Sequence, residues 1–349
     1  MLSYFIFALA TLVQVCDILK VHAANPSVAA CGRKVTLMSY VEPDFNSIRR
    51  AIDSSRAVYS PDLLRRYHLS LKTRRFVILC GVSGSGKTLL TRMYASAVRA
   101  KYCLVAVAPN WTTNEDLLGY YNPLSKQYYD TDFSLFLRQA SRAYKSAIQV
   151  RQVPEPFHLV LDEMNLARVE YYFAKFLSAM EVLTSSGQAQ VTMFGNDVVD
   201  LTPNLYFIGT VNVDETTQGF ADKIYDRAQV IEVTHLREEV ASRIQKPEIR
   251  EYLLAIWDAV AEVCPFSIRV VDEIDRYVNE ASRIGLPWEE AFDDQIIQKI
   301  LPRIKGTDIR LGGMLQRLNE ITINRFPRSN SKIQQLSYAY HTNGIVSFF

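Results

Sequence analysis

Short apolar runs alternate with helical periodicity along residues 76–233. Apolar residues without interruption are typical of strands buried on both faces, whereas a repeat every three to four residues is typical of helices packed on a sheet. The alternation predicts an α/β fold with a doubly wound, mostly parallel, five-stranded sheet. The strand-like runs are 76–80, 102–107, 157–161, 205–210 and 229–233, and the helical patterns between them are 89–98, 133–150 and 169–183.

Other local signals complete the predicted architecture. Ser60 followed by Pro61 is typical of a helix start, and the predicted helix precedes the first strand. Residues 110–132 are polar and aromatic and predict a long surface segment, and alternation on both sides of Gly195-Asn196 predicts a β-hairpin over 190–201. From Leu236 onward only helical periodicity occurs. The predicted domains are an N-terminal segment 1–59 of unclear role, a core 60–235 and a small helical lid 236–349.

The N-terminus carries an apolar run over residues 4–16, which is too short to span a bilayer. Residues 21–23 fit a signal-peptidase site, yet no Lys or Arg precedes Lys20, so the usual basic start of a signal is missing. We favour a core helix or an atypical chain start over a cleaved signal. The expected location is cytoplasmic, without a membrane partner.

Charge and cysteine content narrow the function classes. The net charge is only +2 over 349 residues, so the overall balance does not require nucleic acid as a partner. A basic run over 49–75 fits a solvated helix face better than a DNA contact. Five widely spaced cysteines without a Cys-x-x-Cys pair argue against a disulfide framework or a zinc site.

A glycine-rich loop follows the first predicted strand and fits the Gly-x4-Gly-Lys-Thr pattern. Such a loop turns several backbone N–H groups toward one anion, and the following helix adds the positive end of its dipole. Lys87 would reach the outer phosphates and Thr88 would offer its hydroxyl to Mg²⁺. The predicted phosphate-binding residues are Gly81, Val82, Ser83, Gly84, Ser85, Gly86, Lys87 and Thr88.

Two acids end the third predicted strand, at Asp162 and Glu163. In a parallel sheet they emerge at the same edge as the phosphate loop. Asp162 would hold Mg²⁺ through water, and Glu163 would polarise the water that attacks the outermost phosphorus. Paired acids are common at strand ends, but together with the upstream loop they predict hydrolysis of a nucleoside triphosphate.

Two further residues complete the candidate catalytic set. Asn212 ends a strand, where its amide would orient the lytic water, and Arg227 follows at a position from which it would reach the nucleotide of a neighbouring subunit. The alternative interpretations are a turn-forming residue for Asn212 and a surface ion pair for Arg227. Spacing alone leaves both alternatives open.

Read together, these motifs resemble the AAA+ superfamily, specifically the branch that contains dynein-related, MoxR-like and McrB-like proteins. The resemblance is greatest to McrB-type restriction NTPases and rests on 81–88, 161–172 and 209–217. It implies a homo-oligomeric ring in which Asn212 occupies the sensor-1 position and Arg227 is the finger acting in trans. Arg269 resembles the lid arginine called sensor 2, with a solvated charge as the alternative.

The resemblance also implies ligands and partners. We expect ATP as the substrate, GTP as the alternative, and Mg²⁺ as the cofactor. The McrB motif Met-Asn-Thr-Ala-Asp-Arg is replaced here by residues 211–216, so a guanine preference does not follow. About 59 residues precede the likeness, too few for a complete DNA reader. DNA contact would then be indirect, through a partner such as a nuclease subunit of McrC type; the alternative is that the sequence is a truncated or divergent form of a longer protein.

Two other functions remain compatible with the sequence. One is a MoxR-like ATPase that remodels proteins. The other is a ring component that binds a nucleotide without hydrolysing it, against which the intact Asp162-Glu163 pair and Asn212 argue. Base selection is expected to depend on flanking residues, around 59–68.

Overall fold

The computed structural model describes residues 40–54, 59–186, 189–213 and 219–349. Residues 40–349 form one compact unit. The apolar run 4–16 and the signal-like residues 21–23 lie outside the described residues, as do residues 214–217 of the third motif. The predictions made for these segments therefore remain predictions.

A five-stranded, all-parallel sheet forms the centre of the core, with the strand order β2-β5-β8-β1-β9. This confirms the predicted fold class. The phosphate-loop strand β1 lies between β8 and β9, and β5 lies on the far side of β8. The strands are β1 (Phe76–Gly81), β2 (Lys101–Ala106), β5 (Phe157–Asp162), β8 (Leu205–Asn212) and β9 (Gln229–Glu232).

Successive residues of β1 point to opposite faces of the sheet, and each face has its own apolar core. Phe76 and Ile78 pack in a core with Phe133 and Phe176, whereas Val77 and Leu79 pack in a second core on the other face. The second core includes side chains of α2 and α3. The helices that cover the sheet are α1 (Phe45–Asp53), α2 (Pro61–Arg74), α3 (Lys87–Ala97) and α5 (Asp132–Gln149).

The predicted surface segment 110–132 is not irregular throughout. It contains the short helix α4 (Asn114–Leu118) and an antiparallel hairpin of β3 (Gly119–Asn122) and β4 (Gln127–Asp130). The tyrosines that suggested surface exposure pair across this hairpin, since Tyr120 stacks on Tyr129 with ring centroids 5.5 Å apart. Cross-strand aromatic pairs stabilise a hairpin even where one face is solvated.

The helix predicted over 169–183 is broken into α6 (Val169–Tyr172) and α7 (Ala174–Ser186). The break falls at Phe173, which leaves helical geometry with φ −110° and ψ 9°. Its ring is fully buried and stacks on Phe176, so packing of the aromatic stripe overrides continuous helix geometry here. The predicted hairpin follows as β6 (Ala189–Phe194) and β7 (Asp197–Leu201), and α8 (Asp222–Tyr225) precedes β9.

Beyond β9 the described chain is helical apart from one isolated bridge between Gly306 and Val346. The helices pack around their own apolar core. The last one ends at Gly344, whose φ of 72° suits a helix C-terminus. Within the described residues, no helix is both long and apolar enough to cross a bilayer. The helices are α9 (Arg237–Arg243), α10 (Pro247–Val260), α11 (Ile268–Arg283), α12 (Trp288–Gln295), α13 (Leu311–Thr322) and α14 (Pro327–Asn343).

Candidate active site

A cavity of about 760 Å³ opens at the carboxyl ends of β1, β5 and β8. The strand order brings these ends together, as is usual for ligand sites in open α/β sheets. Seven described segments contribute to its lining. The lining includes Tyr59, Ser83, Gly84, Ser85, Gly86, Lys87, Thr88, Arg92, Asp162, Glu163, Thr210, Asn212, His235, Arg243, Arg269 and Asp272.

The phosphate loop requires glycine at two positions. Gly84 and Gly86 have φ values of 84° and 83°, which side-chain-bearing residues rarely adopt. A Cβ on Gly86 would lie 2.9 Å from the Tyr59 hydroxyl, and one on Gly84 would lie 2.5 Å from Ser267 Oγ. Glycine therefore lets the loop backbone pass close to both neighbours.

Lys87 begins α3 and its side chain is 5% exposed. Its ammonium donates to the carbonyl oxygens of Gly81, at 2.9 Å, and Val82, at 2.8 Å. Burial lowers the pKa of Lys87 to about 8, and the nearby Arg269 guanidinium contributes in the same direction. The charged form is thus costly in this pocket unless an anion lies beside it.

Asp162 ends β5 and accepts hydrogen bonds from two hydroxyls. Thr88 Oγ1 donates to its Oδ1 over 2.7 Å, and Thr210 Oγ1 donates to the same atom over 2.6 Å. Thr210 lies on β8, next to β5 in the sheet. The two threonines hold the carboxylate beside the first turn of α3. This cluster brings the two predicted metal ligands, Thr88 and Asp162, into direct contact.

Glu163 adopts a left-handed backbone conformation, with φ 52° and ψ 46°. Such a conformation is uncommon for a residue with a Cβ and persists only where neighbours hold it. Its backbone N–H donates to Thr210 Oγ1 over 3.0 Å, and Asn212 Nδ2 donates to Glu163 Oε1 over 2.9 Å. Asn165 Nδ2 in turn donates to the Asn212 carbonyl oxygen over 3.1 Å. The carboxylate is thereby aimed into the cavity.

The two candidate arginines have different positions. Arg269, at the start of α11, lines the cavity beside Gly84. Arg227 does not line it: its Nε donates to the Leu177 carbonyl oxygen over 3.0 Å, and its guanidinium pairs with Glu181. Within this one chain the ion-pair interpretation of Arg227 therefore holds, and the arginine lies apart from the other predicted site residues.

Several cavity residues were not predicted from the sequence. The sequence predicts Thr210 only as part of a strand and predicts a role in base selection for residues 59–68 without a specific contact. Tyr59 now proves to donate its hydroxyl hydrogen to the Gly86 carbonyl oxygen over 2.9 Å. Thr210 and Asn165 lie within the motifs 209–217 and 161–172 without a role assigned to them, and no local motif marks His235, Arg243 or Asp272. These residues meet the loop only through the tertiary fold. The cavity residues missed are Thr210, His235, Arg243 and Asp272, and outside the lining the contact of Asn165 with Asn212 was also missed.

The side chains present fit a phosphate chain and a magnesium ion. The loop offers backbone N–H groups at a helix start together with a buried ammonium, which suits a polyphosphate. The Thr88 hydroxyl and the Asp162 carboxylate supply the hard oxygen ligands that Mg²⁺ prefers, and Mg²⁺ usually needs only one or two such protein ligands beside phosphate. The geometry thus supports a Mg²⁺–polyphosphate site.

Two parts of the chain match models of known protein families. Residues 76–228 match the model of the AAA domain (dynein-related subfamily), and residues 227–345 match a domain of unknown function (DUF8727). No curated protein matches the chain. A RuvB mutant from Thermotoga maritima is similar to it among solved structures, at 13% identity and a TM-score of 0.44, covering 80% of this chain and 81% of that one. Residues 76–228, which hold the phosphate loop and the Asp162-Glu163 pair, are therefore similar to the dynein-related AAA domain.

Proposed function

We propose that the chain is a nucleoside triphosphatase that hydrolyses ATP, with GTP as the alternative substrate, in the presence of Mg²⁺. The observation that carries this proposal is the continuous network from Thr88 through Asp162 and Thr210 to Glu163 and Asn212. It supports the assignment of a metal ligand and of an oriented carboxylate to one end of the phosphate loop.

The loop and Lys87 bind the triphosphate in this scheme. Backbone N–H groups of residues 83–88 and the Lys87 ammonium contact the outer phosphates, and the same ammonium stabilises charge that develops as the terminal phosphoryl group leaves. Thr88 and Asp162 would hold Mg²⁺, which supplies charge neutralisation on the phosphate oxygens. Arg269, which lines the cavity beside Gly84, adds a second cation next to the loop.

Glu163 acts as the general base. Its carboxylate accepts a proton from the attacking water while that water forms a bond to the terminal phosphorus, and the bond from phosphorus to the β-phosphate oxygen breaks. The products are the diphosphate and inorganic phosphate. Asn212 holds Glu163 Oε1 and is a positioning residue for this step.

We further propose that the chain works as a homo-oligomeric ring, with Arg227 reaching the nucleotide of a neighbouring subunit. The support is the AAA domain match together with the position of Arg227 outside its own cavity. The finer proposal, based on motif resemblance alone, is a motor for a McrB-like defence system. A partner nuclease of McrC type would supply the DNA contact.

Hydrolysis assays on three variants test the proposal. Lys87→Ala should abolish nucleotide binding, whereas Glu163→Gln should retain binding and lower turnover by about a hundredfold or more. Glu251→Gln, an exposed change on α10, is the matched control and should match the wild type. Hydrolysis by Glu163→Gln at the wild-type rate would remove Glu163 from its role. Binding without hydrolysis by the wild type would favour a non-hydrolysing ring component.

A further inference from the structure

Two arginines lie close together at the amino end of the sheet. Val77 of β1 pairs with Gln229 of β9 in parallel register, and Arg75 and Arg227 each lie two residues before these partners. Adjacent strands are about 4.8 Å apart, so the register brings the two chain segments next to each other. The six residues of β1 then lead to the phosphate loop at the opposite edge, about 20 Å away. Neither of these described arginines lines the active-site cavity.

Both arginines line a second cavity, of about 610 Å³, which we call the amino-end cavity. Four cationic side chains but only two acidic ones contribute to its described lining. The cations are Lys72, Arg74, Arg75 and Arg227, and the acids are Glu181 and Asp226. The excess of positive charge favours an anion in this cavity.

Arg75 is the cation of the amino-end cavity whose guanidinium has no hydrogen-bond or ion-pair partner within the described residues. Its backbone is well held, because its N–H donates to the Leu71 carbonyl oxygen and its own carbonyl oxygen accepts from the Phe207 N–H. The other three cations each have a protein partner, namely Glu42 for Lys72, the Asp226 carbonyl oxygen for Arg74 and Glu181 for Arg227. Arg75 can therefore bind an anion without giving up a protein contact.

A phosphate group suits such a pair of arginines. A guanidinium can bind two phosphate oxygens through parallel N–H donors, and it keeps its charge at any physiological pH. A neighbouring subunit that brings its terminal phosphate to Arg227 also brings it to Arg75, because both arginines line one cavity. The same phosphate would have to displace Glu181 from Arg227, whereas Arg75 has no partner to exchange.

We propose that Arg75 is a second guanidinium acting in trans, which contacts the terminal phosphate of the neighbouring subunit's nucleotide. It stabilises the negative charge on the phosphoryl group during hydrolysis. The guanidinium donates hydrogen bonds but no proton, so the bonds that form and break are unchanged. This inference rests on the proposed hydrolysis and on the proposed ring.

Steady-state kinetics on Arg75→Ala test this contact. The kcat for ATP should fall by about a hundredfold, as for the loss of one donor to a developing anion. The Kd for ADP should not change, because ADP lacks the terminal phosphate and Arg75 lies outside its own chain's active-site cavity. Wild-type kcat would overturn the inference.

Two further variants control for the backbone at this position. Arg75 has a left-handed φ of 57°, and Arg151 is an exposed arginine with a φ of 54° that lines neither cavity. Arg151→Ala should therefore carry the same backbone cost and keep the wild-type kcat; an equal loss of kcat in it would assign the effect to the backbone. Arg75→Gly removes the guanidinium and suits the positive φ, so it gives the decisive kcat if the alanine variant does not fold.

Mixing separates a trans contact from a structural role. Lys87→Ala has an intact Arg75 but cannot bind the nucleotide, so an equal mixture with Arg75→Ala should recover about a quarter of wild-type activity. No recovery from two variants that both assemble would overturn the inference, since Arg75 would then act within its own chain. Loss of assembly by Arg75→Ala would also overturn it, because the arginine would then join subunits rather than contact phosphate.

Failure of this inference and failure of the proposed function give different results. A wild-type chain that does not hydrolyse ATP would refute the proposed function. An active wild type with fully active Arg75 variants would refute only the role of Arg75.

Discussion

At the residue scale, the free energy of the charged Lys87 side chain depends on whether an anion lies beside it. Lys87 is almost fully buried, and Asp162, Glu163 and Arg269 line the same cavity. The ammonium is costly in the free protein and favourable once phosphates arrive. Nucleotide binding should therefore be linked to the protonation of Lys87.

Nucleotide affinity should fall as the pH rises above the lowered pKa of Lys87. The free protein loses the Lys87 proton above about pH 8, whereas the phosphate-bound form retains it, so binding must take up a proton. Affinity for ADP should weaken by about tenfold per pH unit above that value. Titration calorimetry over the alkaline range measures this slope. Lys87→Ala should bind ADP weakly, and its affinity should not show this pH dependence. The same pH dependence in that variant would mean that another group takes up the proton.

The residues of the site differ in how readily the sequence reveals them. Lys87 and Thr88 belong to one continuous motif, and Glu163 follows an apolar run, so local patterns suffice. Thr210 and His235 meet the loop only after the strands have paired in the order β5-β8-β1-β9. A local pattern does not encode that order, which is why these contacts were missed.

At the element scale, β5 carries a buried imidazole as well as the acids at its end. His158 is 2% exposed and packs between Tyr94 of α3 and Tyr206 of β8, with ring centroids 5.9 and 5.1 Å from its own. Burial lowers the pKa of His158 to about 3. The ring is therefore neutral in the folded chain, at the end of the strand away from Asp162.

Acid should destabilise the fold through His158. The unfolded chain takes up a proton below about pH 6.5 whereas the folded chain does not until about pH 3, so stability is lost as the pH falls between these values. The loss at about pH 5 should be on the order of 2 kcal/mol, read from urea unfolding. His158→Phe should lose less, and the cavity of about 180 Å³ beside the ring accommodates the larger side chain. An unchanged acid loss in this variant would exclude His158 as the cause.

The two hairpins show where sequence patterns reach their limit. The β6-β7 hairpin is predicted from its alternation about Gly195-Asn196. Residues 110–132 are predicted only as a surface segment, because the strands β3 and β4 have four residues each and give no clear pattern. Arg138 of α5 joins them, since it bonds both Asp130 and Asp197. Phe194 also stacks on Tyr121 with ring centroids 4.5 Å apart. Contacts between the hairpins stabilise strands too short to be predicted alone.

At the scale of the whole molecule, the helical region reaches the phosphate loop directly. Ser267 and Arg269 at the start of α11 lie against Gly84, so a nucleotide bound as proposed would contact both parts of the chain. The sequence predicted this two-part organisation from the loss of strand signals after residue 236. It did not predict the packing of α11 on the loop, which depends on the shape of the helical core.

Mixing inactive variants tests whether the active site is shared between subunits. Lys87→Ala lacks its own site and Arg227→Ala lacks the arginine offered to a neighbour, so each alone should be inactive. An equal mixture should recover about a quarter of wild-type activity. The reason is that about one interface in four joins a subunit with an intact Lys87 to a neighbour with an intact Arg227. Glu181→Gln, which removes the partner of Arg227 but keeps the guanidinium, is the matched control and should retain activity.

The mixing result would contradict a shared site in either of two ways. Full activity of Arg227→Ala alone would show that the arginine serves only its ion pair with Glu181. No recovery from two variants that both assemble would show that Arg227 acts within its own chain.

The central claim is that a nucleoside triphosphate and its metal lie between Lys87 and Asp162. A crystal structure of the full chain with Mg²⁺ and a non-hydrolysable ATP analogue measures this directly. We expect the outer phosphates at hydrogen-bonding distance from Lys87 Nζ, and the ion on Thr88 Oγ1 and on Asp162 directly or through water. An analogue bound elsewhere, or a metal held away from both residues, would contradict the account.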